Sequence, residues 1–383
     1  MYRLSEAQQT IVNKAAAVAD QSIAKHAARV DRERAFPKES IAALGEAGLL
    51  GLTVPVESGG MGQNLRTAAA VLDQVARRCA STAMVYLMHL CGVGCYAAAP
   101  DKTVRQLHAA AKGSHLSTLA FSERGSRSHF WAPVSRAVAA NGGAQISAQK
   151  SFVTSAGNAD GYVVSTLDAN ARTPIESTIY LVLREDKGIS ALRPWEGLGL
   201  RGNSSGPMAL DAVSVGADRA LTGPGKGLDM MLGIVLPTFQ IGSAAVAVGI
   251  AEAAVQATAT HLTASKLEHM NSTLADLPTL RARLAQMRIA TDRARAHLGA
   301  VLDSLDAPGP ATQLMVLEAK AAATEVAADV TDAAMRACGG AAIAGAHGLD
   351  RMFRDARTQI VMAPTSDQLY DFIGRALCGM EVF

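Results

Sequence analysis

The sequence predicts an α+β fold in three parts: a helical segment, a compact β-domain and a second helical segment. Three observations predict it. Apolar residues recur at three- and four-residue spacing toward both ends of the chain. The middle reads as short extended runs broken by Gly and Pro. The composition is 49% hydrophobic but only 4% aromatic, which suits close-packed helices better than a β-sandwich.

Residues 1–115 form the expected N-terminal helical domain. Leu44, Ala47 and Leu50, then Val71, Leu72 and Val75, mark helical faces. Between them Pro55-Val-Glu-Ser-Gly-Gly-Met-Gly62 is a glycine-rich loop. Residues 116–222 form the expected middle β-domain. Ala137–Ala140, the turn Asn141-Gly142-Gly143 and Ala144–Gln149 read as a hairpin. Gly161–Thr166, Ser177–Leu183 and Met208–Val215 are further strands. Residues 223–383 return to helix, with apolar periodicity over Phe239–Leu262, Leu277–Leu302 and Gln313–Ala337. Asp306-Ala-Pro-Gly-Pro310 turns one helix into the next, so an antiparallel bundle is expected.

Length and charge exclude several classes. A chain of 383 residues can bury a large core. Lys+Arg 36 against Asp+Glu 34 gives +2, with no surplus aimed at nucleic acid or an anionic membrane. The most apolar stretch, Ile241–Ala259, is rich in Ala and Gly and carries Glu252 and Gln256, so it reads as a bundle helix and not a membrane span. Met1–Val18 is too polar for a signal peptide, and the expected location is cytoplasmic. Cys79, Cys91, Cys95, Cys338 and Cys378 are scattered and odd in number. They read as buried free thiols in a reducing compartment, and no metal site is expected.

Several motifs then fall in one order. Phe36-Pro37 with Gly48-Leu-Leu-Gly-Leu-Thr-Val-Pro-Val-Glu-Ser-Gly-Gly-Met-Gly62, Lys150-Ser-Phe-Val-Thr-Ser-Ala-Gly157, Leu198-Gly-Leu-Arg-Gly-Asn-Ser204, Gly339-Gly340 and Phe353-Arg-Asp-Ala-Arg357 cover nearly the whole chain. Together the set resembles the acyl-CoA dehydrogenase superfamily. The resemblance implies a C-terminal four-helix bundle, a flavin between the β-domain and the bundle, and a homotetramer or homodimer.

It also assigns residues. Phe152 stands where the family sets an aromatic ring against the flavin, and Thr154, two residues on, where it bonds near the reactive nitrogen. In Ala120-Phe121-Ser122-Glu123, Phe121 and Ser122 fall on the flavin's polar edge, with Ser122 replacing the usual Thr. Gly339 and Gly340 fall in the cofactor-binding C-terminal signature. Arg124-Gly-Ser-Arg-Ser-His129 replaces the usual Pro and its neighbours, in a loop that faces substrate. Ser128 and His129 are the substrate-binding candidates, and the loop reads either as an exposed polar segment or as a mouth suited to an anion. Arg354 and Asp355 read as a structural ion pair.

The family's base is missing. Acyl-CoA dehydrogenation needs a carboxylate that takes the α-proton. Counting from Arg354-Asp-Ala-Arg357, the usual Glu falls on Ala363, and the alternative position on the first bundle helix falls near Phe239. Asp367 is the nearest carboxylate and the catalytic candidate, although the helix cap expected at Thr365 also accounts for it. Glu123 matches a Glu that is structural in the family. The family's segment that reaches a neighbouring subunit's FAD diphosphate should lie near Ser265–Asn271 but reads Ser-Lys-Leu-Glu-His-Met-Asn, and Arg336 replaces a usual Gln. FMN, supplied reduced, therefore stands as the alternative cofactor to FAD.

Four readings are open to such a chain. One is an acyl-CoA dehydrogenase-like flavin oxidoreductase acting on an acyl thioester or related small molecule with a non-standard base, its electrons passing to an electron-transfer flavoprotein. The second is a two-component flavin monooxygenase, similar to the dibenzothiophene monooxygenase branch, served by a flavin reductase. His89, Ser122, Ser128, His129 and Asp367 are its candidate oxygen-steering residues. The third is a lyase-like or desulfinating member, and the fourth a non-enzymatic paralogue.

Overall fold

The computed structural model describes residues 2–127, 129–140 and 142–382. Helices α1 (Glu6–Val18), α2 (Ala24–Arg32), α3 (Lys38–Glu46), α4 (Leu65–Ala76), α5 (Ala80–Ala97) and α6 (Pro100–Ala111) come first. Ser5 and Gln8 close a reciprocal capping box on α1, and Asn64 caps α4 by accepting from the Thr67 amide at 3.2 Å. The periodic residues Leu44, Leu50, Val71, Leu72 and Val75 are all buried. The glycine-rich loop after Pro55 is irregular apart from one short turn over Val56–Ser58.

The middle of the chain carries β1 (Ser117–Ala120), β2 (Val138–Ala140), β3 (Gly143–Val153), β4 (Gly161–Leu167), β5 (Ser177–Leu183), β6 (Ile189–Ala191) and β7 (Gly206–Gly216). They form two sheets, ordered β1-β4-β5 and β2-β3-β7-β6. The expected hairpin is β2 with β3, Val138 facing Gln145, and Asn141 of its turn lies outside the described residues. β1 and β6 carry no legible signal, being four and three residues long without polar alternation. Strand β4 serves two cores because its side chains alternate in direction. Tyr162 and Val164 join Ile146, Met208 and Leu210 between the sheets, while Val163 joins Leu119, Ile179 and Leu181 in the larger helical core.

The C-terminal part contains α7 (Gly227–Met230), α8 (Leu236–Ala264), a small hairpin β8 (Lys266–Leu267) and β9 (Ser272–Thr273), then α9 (Pro278–Asp306), α10 (Thr312–Cys338), α11 (Gly340–Ile343), α12 (Leu349–Ile360) and α13 (Ser366–Leu377). Helices α8, α9 and α10 pack as the bundle, with α12 and α13 against α10. Helices Ala80–Ala97 and Gly227–Ala264 are long and apolar enough to cross a membrane. In each, most of the apolar window, 83% and 78%, is buried inside the protein, which marks them as core helices. Gly249 lets α8 press onto α4: a Cβ there would sit 2.5 Å from the Asp73 carbonyl oxygen. Four cysteines are buried free thiols, but Cys378 is exposed at the end of α13, contrary to expectation.

Helix α12 ties the three parts together. Arg354 grips Asp31 of α2 through two nitrogens at 2.6 and 2.8 Å and also Asp350 at 2.9 Å. Gly199 lies so close to the Arg354 carbonyl that a side chain would clash. Asp355 does not pair with Arg354; its carboxylate accepts from the Leu200 amide at 2.6 Å. The ion pair expected at these residues is thus made by Arg354 with Asp31 and Asp350, while Asp355 is held by a backbone amide.

Candidate functional site

Between the β-domain and the bundle lies a cavity of about 1080 Å³. One wall is the end of β3. Lys150 pairs with Met208 and Val153 with Gly206, so two residues of β3 stand opposite one of β7. That bulge places Phe152 at φ +54° and turns its ring out of the sheet, 69% exposed, into the cavity. A bulky residue in this region costs on the order of 1–3 kcal/mol and persists only where its surroundings impose it. Strict alternation places Phe152 and Thr154 on one face; the bulge breaks the alternation, yet both line the cavity.

Around Phe152 the side chains are fixed. Trp195 meets its ring nearly edge-on, 6.2 Å between centroids, and the Trp195 indole donates to the Leu200 carbonyl at 3.1 Å. Thr154 is buried, its hydroxyl 2.9 Å from that of Ser205. Phe121 and Ser122 come directly after β1 and face the same space, and the Ser122 carbonyl holds the Ser151 amide at 2.9 Å. The four flavin candidates of the β-domain thus meet in one cavity.

The opposite wall comes from helices: Met88 of α5, Val235, Leu236 and Phe239 at the start of α8, and Met362 with Ala363 after α12. Ala363 and Phe239, the two positions where the family's base would fall, therefore both face the cavity as apolar groups. Lys320 of α10 holds the segment that carries Ala363. Its amine donates to the carbonyls of Met362 at 3.0 Å and Pro364 at 2.8 Å, and burial pushes its pKa down to about 7. Nothing in the spacing of the sequence flags this lysine.

Among the described residues the cavity wall carries one carboxylate, Glu123, and it is fully engaged. It pairs with Lys150 at 2.6 Å, accepts from the amides of Val134 at 2.9 Å and Ser135 at 2.8 Å, and bonds the Ser135 hydroxyl. Burial alone would raise its pKa; the Lys150 ammonium and these donors outweigh that and hold it below the usual carboxylate range. Burial lowers the pKa of Lys150 in turn, against the pull of Glu123.

The remaining candidates lie elsewhere. Asp367 is exposed in the first turn of α13, where Thr365 accepts from the Gln368 amide at 3.2 Å, and it is not among the cavity residues. That is the helix-cap arrangement, and the cap orients Asp367 by helix geometry. His89 is fully buried, between the Leu50 carbonyl at 2.8 Å and the Ser117 amide at 3.0 Å. Burial lowers its pKa to about 4, so it is a neutral core histidine, and it is not among the cavity residues. His129 lines a second depression, of about 610 Å³, and is not among the residues of the first. Ser128 lies outside the described residues. Gly339, between α10 and α11, and Gly340, the first residue of α11, are exposed and not among the cavity residues. The Ser265–Asn271 segment forms the β8–β9 hairpin.

The residues present fit a flavin ring. The cavity is open on the face of Phe152, has hydroxyls at Ser122, Thr154 and Ser205, and is otherwise lined largely by apolar side chains. Comparison with known proteins agrees. Three family profiles match in order: acyl-CoA dehydrogenase N-terminal domain over residues 5–106, middle domain over 118–213 and C-terminal domain over 225–378. The probable acyl-CoA dehydrogenase YngJ of Bacillus subtilis is 26% identical over 371 residues, 96% of each chain. Butyryl-CoA dehydrogenase of Megasphaera elsdenii shares the fold at TM-score 0.91 and 21% identity, over 98% of this chain and 99% of its own. FMN-bound TdsC of Paenibacillus sp. A11-2 shares it at TM-score 0.86 and 21% identity, over 97% of both.

Proposed function

This chain belongs to the acyl-CoA dehydrogenase family of flavin-dependent oxidoreductases, and on that premise we propose that it carries out flavin chemistry that needs no carboxylate base: oxygenation of a small organic substrate by reduced flavin and dioxygen. The observation that carries the proposal is the cavity wall. Both base positions are apolar, and the one carboxylate on the wall among the described residues, Glu123, is locked by Lys150 and three further donors. A carboxylate held low in pKa with its lone pairs engaged is a poor proton acceptor.

Reduced flavin, once bound, would supply the two electrons by which one oxygen atom of dioxygen enters the substrate and the other leaves as water. The chain's own residues shape that reaction. Phe152 offers a face for the ring, and the hydroxyls of Thr154 and Ser122 orient its polar edges. Val235, Leu236, Phe239, Met362 and Ala363 exclude water from the substrate side and favour an apolar body there.

A second reading, a dehydrogenase holding FAD and passing electrons to an electron-transfer flavoprotein, is favoured by the end-to-end likeness to YngJ. Rapid mixing of the protein and chemically reduced FMN or FAD with oxygenated buffer separates the two. The oxygenase reading expects flavin reoxidation distinct from that of free reduced flavin, with oxygen transfer once a substrate is found. Reoxidation identical to that of free flavin would remove it.

A further inference from the structure

The charge lining the cavity is lopsided. Glu123 and Lys150 cancel as a buried pair. The charges left over are Arg124 and Arg127 from the loop after β1 and Arg193 from the segment after β6, all three on the cavity wall and exposed. None of their guanidinium groups has an ion-pair or hydrogen-bond partner among the described residues. A guanidinium cannot shed its charge at physiological pH, so the wall keeps about three uncompensated positive charges. The Arg127 backbone also adopts φ +53°, an unfavourable conformation that the loop nevertheless holds.

These charges line the same cavity as the apolar side chains of Val235, Leu236, Phe239, Met362 and Ala363. We propose that Arg124, Arg127 and Arg193 form an oxyanion-binding rim, and that the ligand seated in the cavity is an amphiphile with an apolar body and a terminal carboxylate or phosphate. Arg suits this task because its planar fork binds two oxygens of one oxyanion at once. The oxyanion has two possible sources, the phosphate of the flavin or an acidic group on the substrate. The flavin source rests on the function proposed above; the substrate source does not.

Two ligand pairs test it, each differing in one charged group: FMN against riboflavin, and octanoate against octanol. Binding to the full-length protein is measured by titration calorimetry, in wild type and in the Arg127→Gln/Arg193→Gln and Arg124→Gln variants. The proposal expects wild type to prefer the anionic member of at least one pair by about 10- to 100-fold, the range for a charge-assisted hydrogen bond. It expects the double variant to lose that preference while binding of the neutral member is unchanged. Preference within the flavin pair assigns the rim to the flavin phosphate, and preference within the octanoate pair assigns it to the substrate. No charge preference in either pair, or a preference that survives in all variants, overturns the rim. Failure of wild type to bind riboflavin or FMN would count against the flavin reading alone, since the octanoate pair still tests the rim.

Discussion

Glu123 and Lys150 form an ion pair of 2.6 Å whose side chains are 1% and 0% exposed, at the edge of the cavity where chemistry is expected. Two charges so buried depend on each other, because removing one strands the other out of water. Glu123→Gln should therefore destabilise the protein by about 3–5 kcal/mol, measured by chemical denaturation. Adding Lys150→Met to that variant should recover part of the loss. A Glu123→Gln protein as stable as wild type would show that the carboxylate is not tied up as described.

The flavin seat makes a separable prediction. On the proposed reading Phe152, at the bulge of β3, would supply the ring contact and Thr154, just after that strand, the hydroxyl; both line the cavity. Phe152→Ala with Thr154→Ala should weaken flavin binding by about 100-fold, from the summed loss of a stacking contact and a hydrogen bond. Flavin fluorescence titration reads it, with circular dichroism to confirm the fold. Unchanged affinity would move the site elsewhere.

Lys320 predicts a pH dependence. Its pKa falls from 10.5 when unfolded to about 7 when folded, chiefly through burial. Between those values the unfolded chain binds more protons than the folded one, so this group's contribution to stability rises as pH rises and is lost as pH falls through about 7. Wild type should thus gain stability relative to Lys320→Met between pH 7 and pH 9. Parallel urea unfolding curves for the two proteins at both pH values, with no change in their difference, would contradict the buried amine.

Asp355 predicts the opposite sign. Burial raises its pKa from 3.8 to about 6, against the opposing bond from the Leu200 amide. The folded state holds the proton more tightly, so its contribution is full below about 3.8 and is lost as pH rises through about 6. Asp355→Asn keeps an acceptor for Leu200 and has no proton to lose. Its thermal midpoint should improve relative to wild type on going from pH 5 to pH 8, and a fixed difference would refute the shift.

The helical ends and the long strands are legible in the sequence because each buries a periodic face: Val71, Leu72 and Val75 on α4, Tyr162 and Val164 on β4. The gathering of Phe121, Ser122, Phe152 and Thr154 is also within reach, since the family resemblance assigns all four to one flavin ring. The bulge is not, because a positive φ at Phe152 arises from ladder slippage against β7 and carries no Gly to announce it. Asp367 is nominated by nearness to Ala363 and His129 by its loop's place in the family, yet Asp367 sits in a helix cap and His129 lines a second depression. Lys320 is invisible because it reaches Met362 and Pro364 from a helix more than forty positions away. The three arginines that share one cavity wall come from two segments that only the fold brings together.

The central claim is that this cavity works without a carboxylate base. The measurement that tests it most directly is anaerobic mixing of the protein, loaded with oxidised FAD, with a panel of saturated acyl-CoA thioesters of differing chain length, while the flavin's visible absorbance is monitored. An α-proton must leave before or with the hydride in that reaction, and neither Ala363 nor Phe239 can take it. The account predicts no bleaching by any thioester, alongside reoxidation of reduced flavin by dioxygen that the protein alters. Rapid bleaching by even one acyl-CoA would contradict it and establish a dehydrogenase whose base lies outside the positions described.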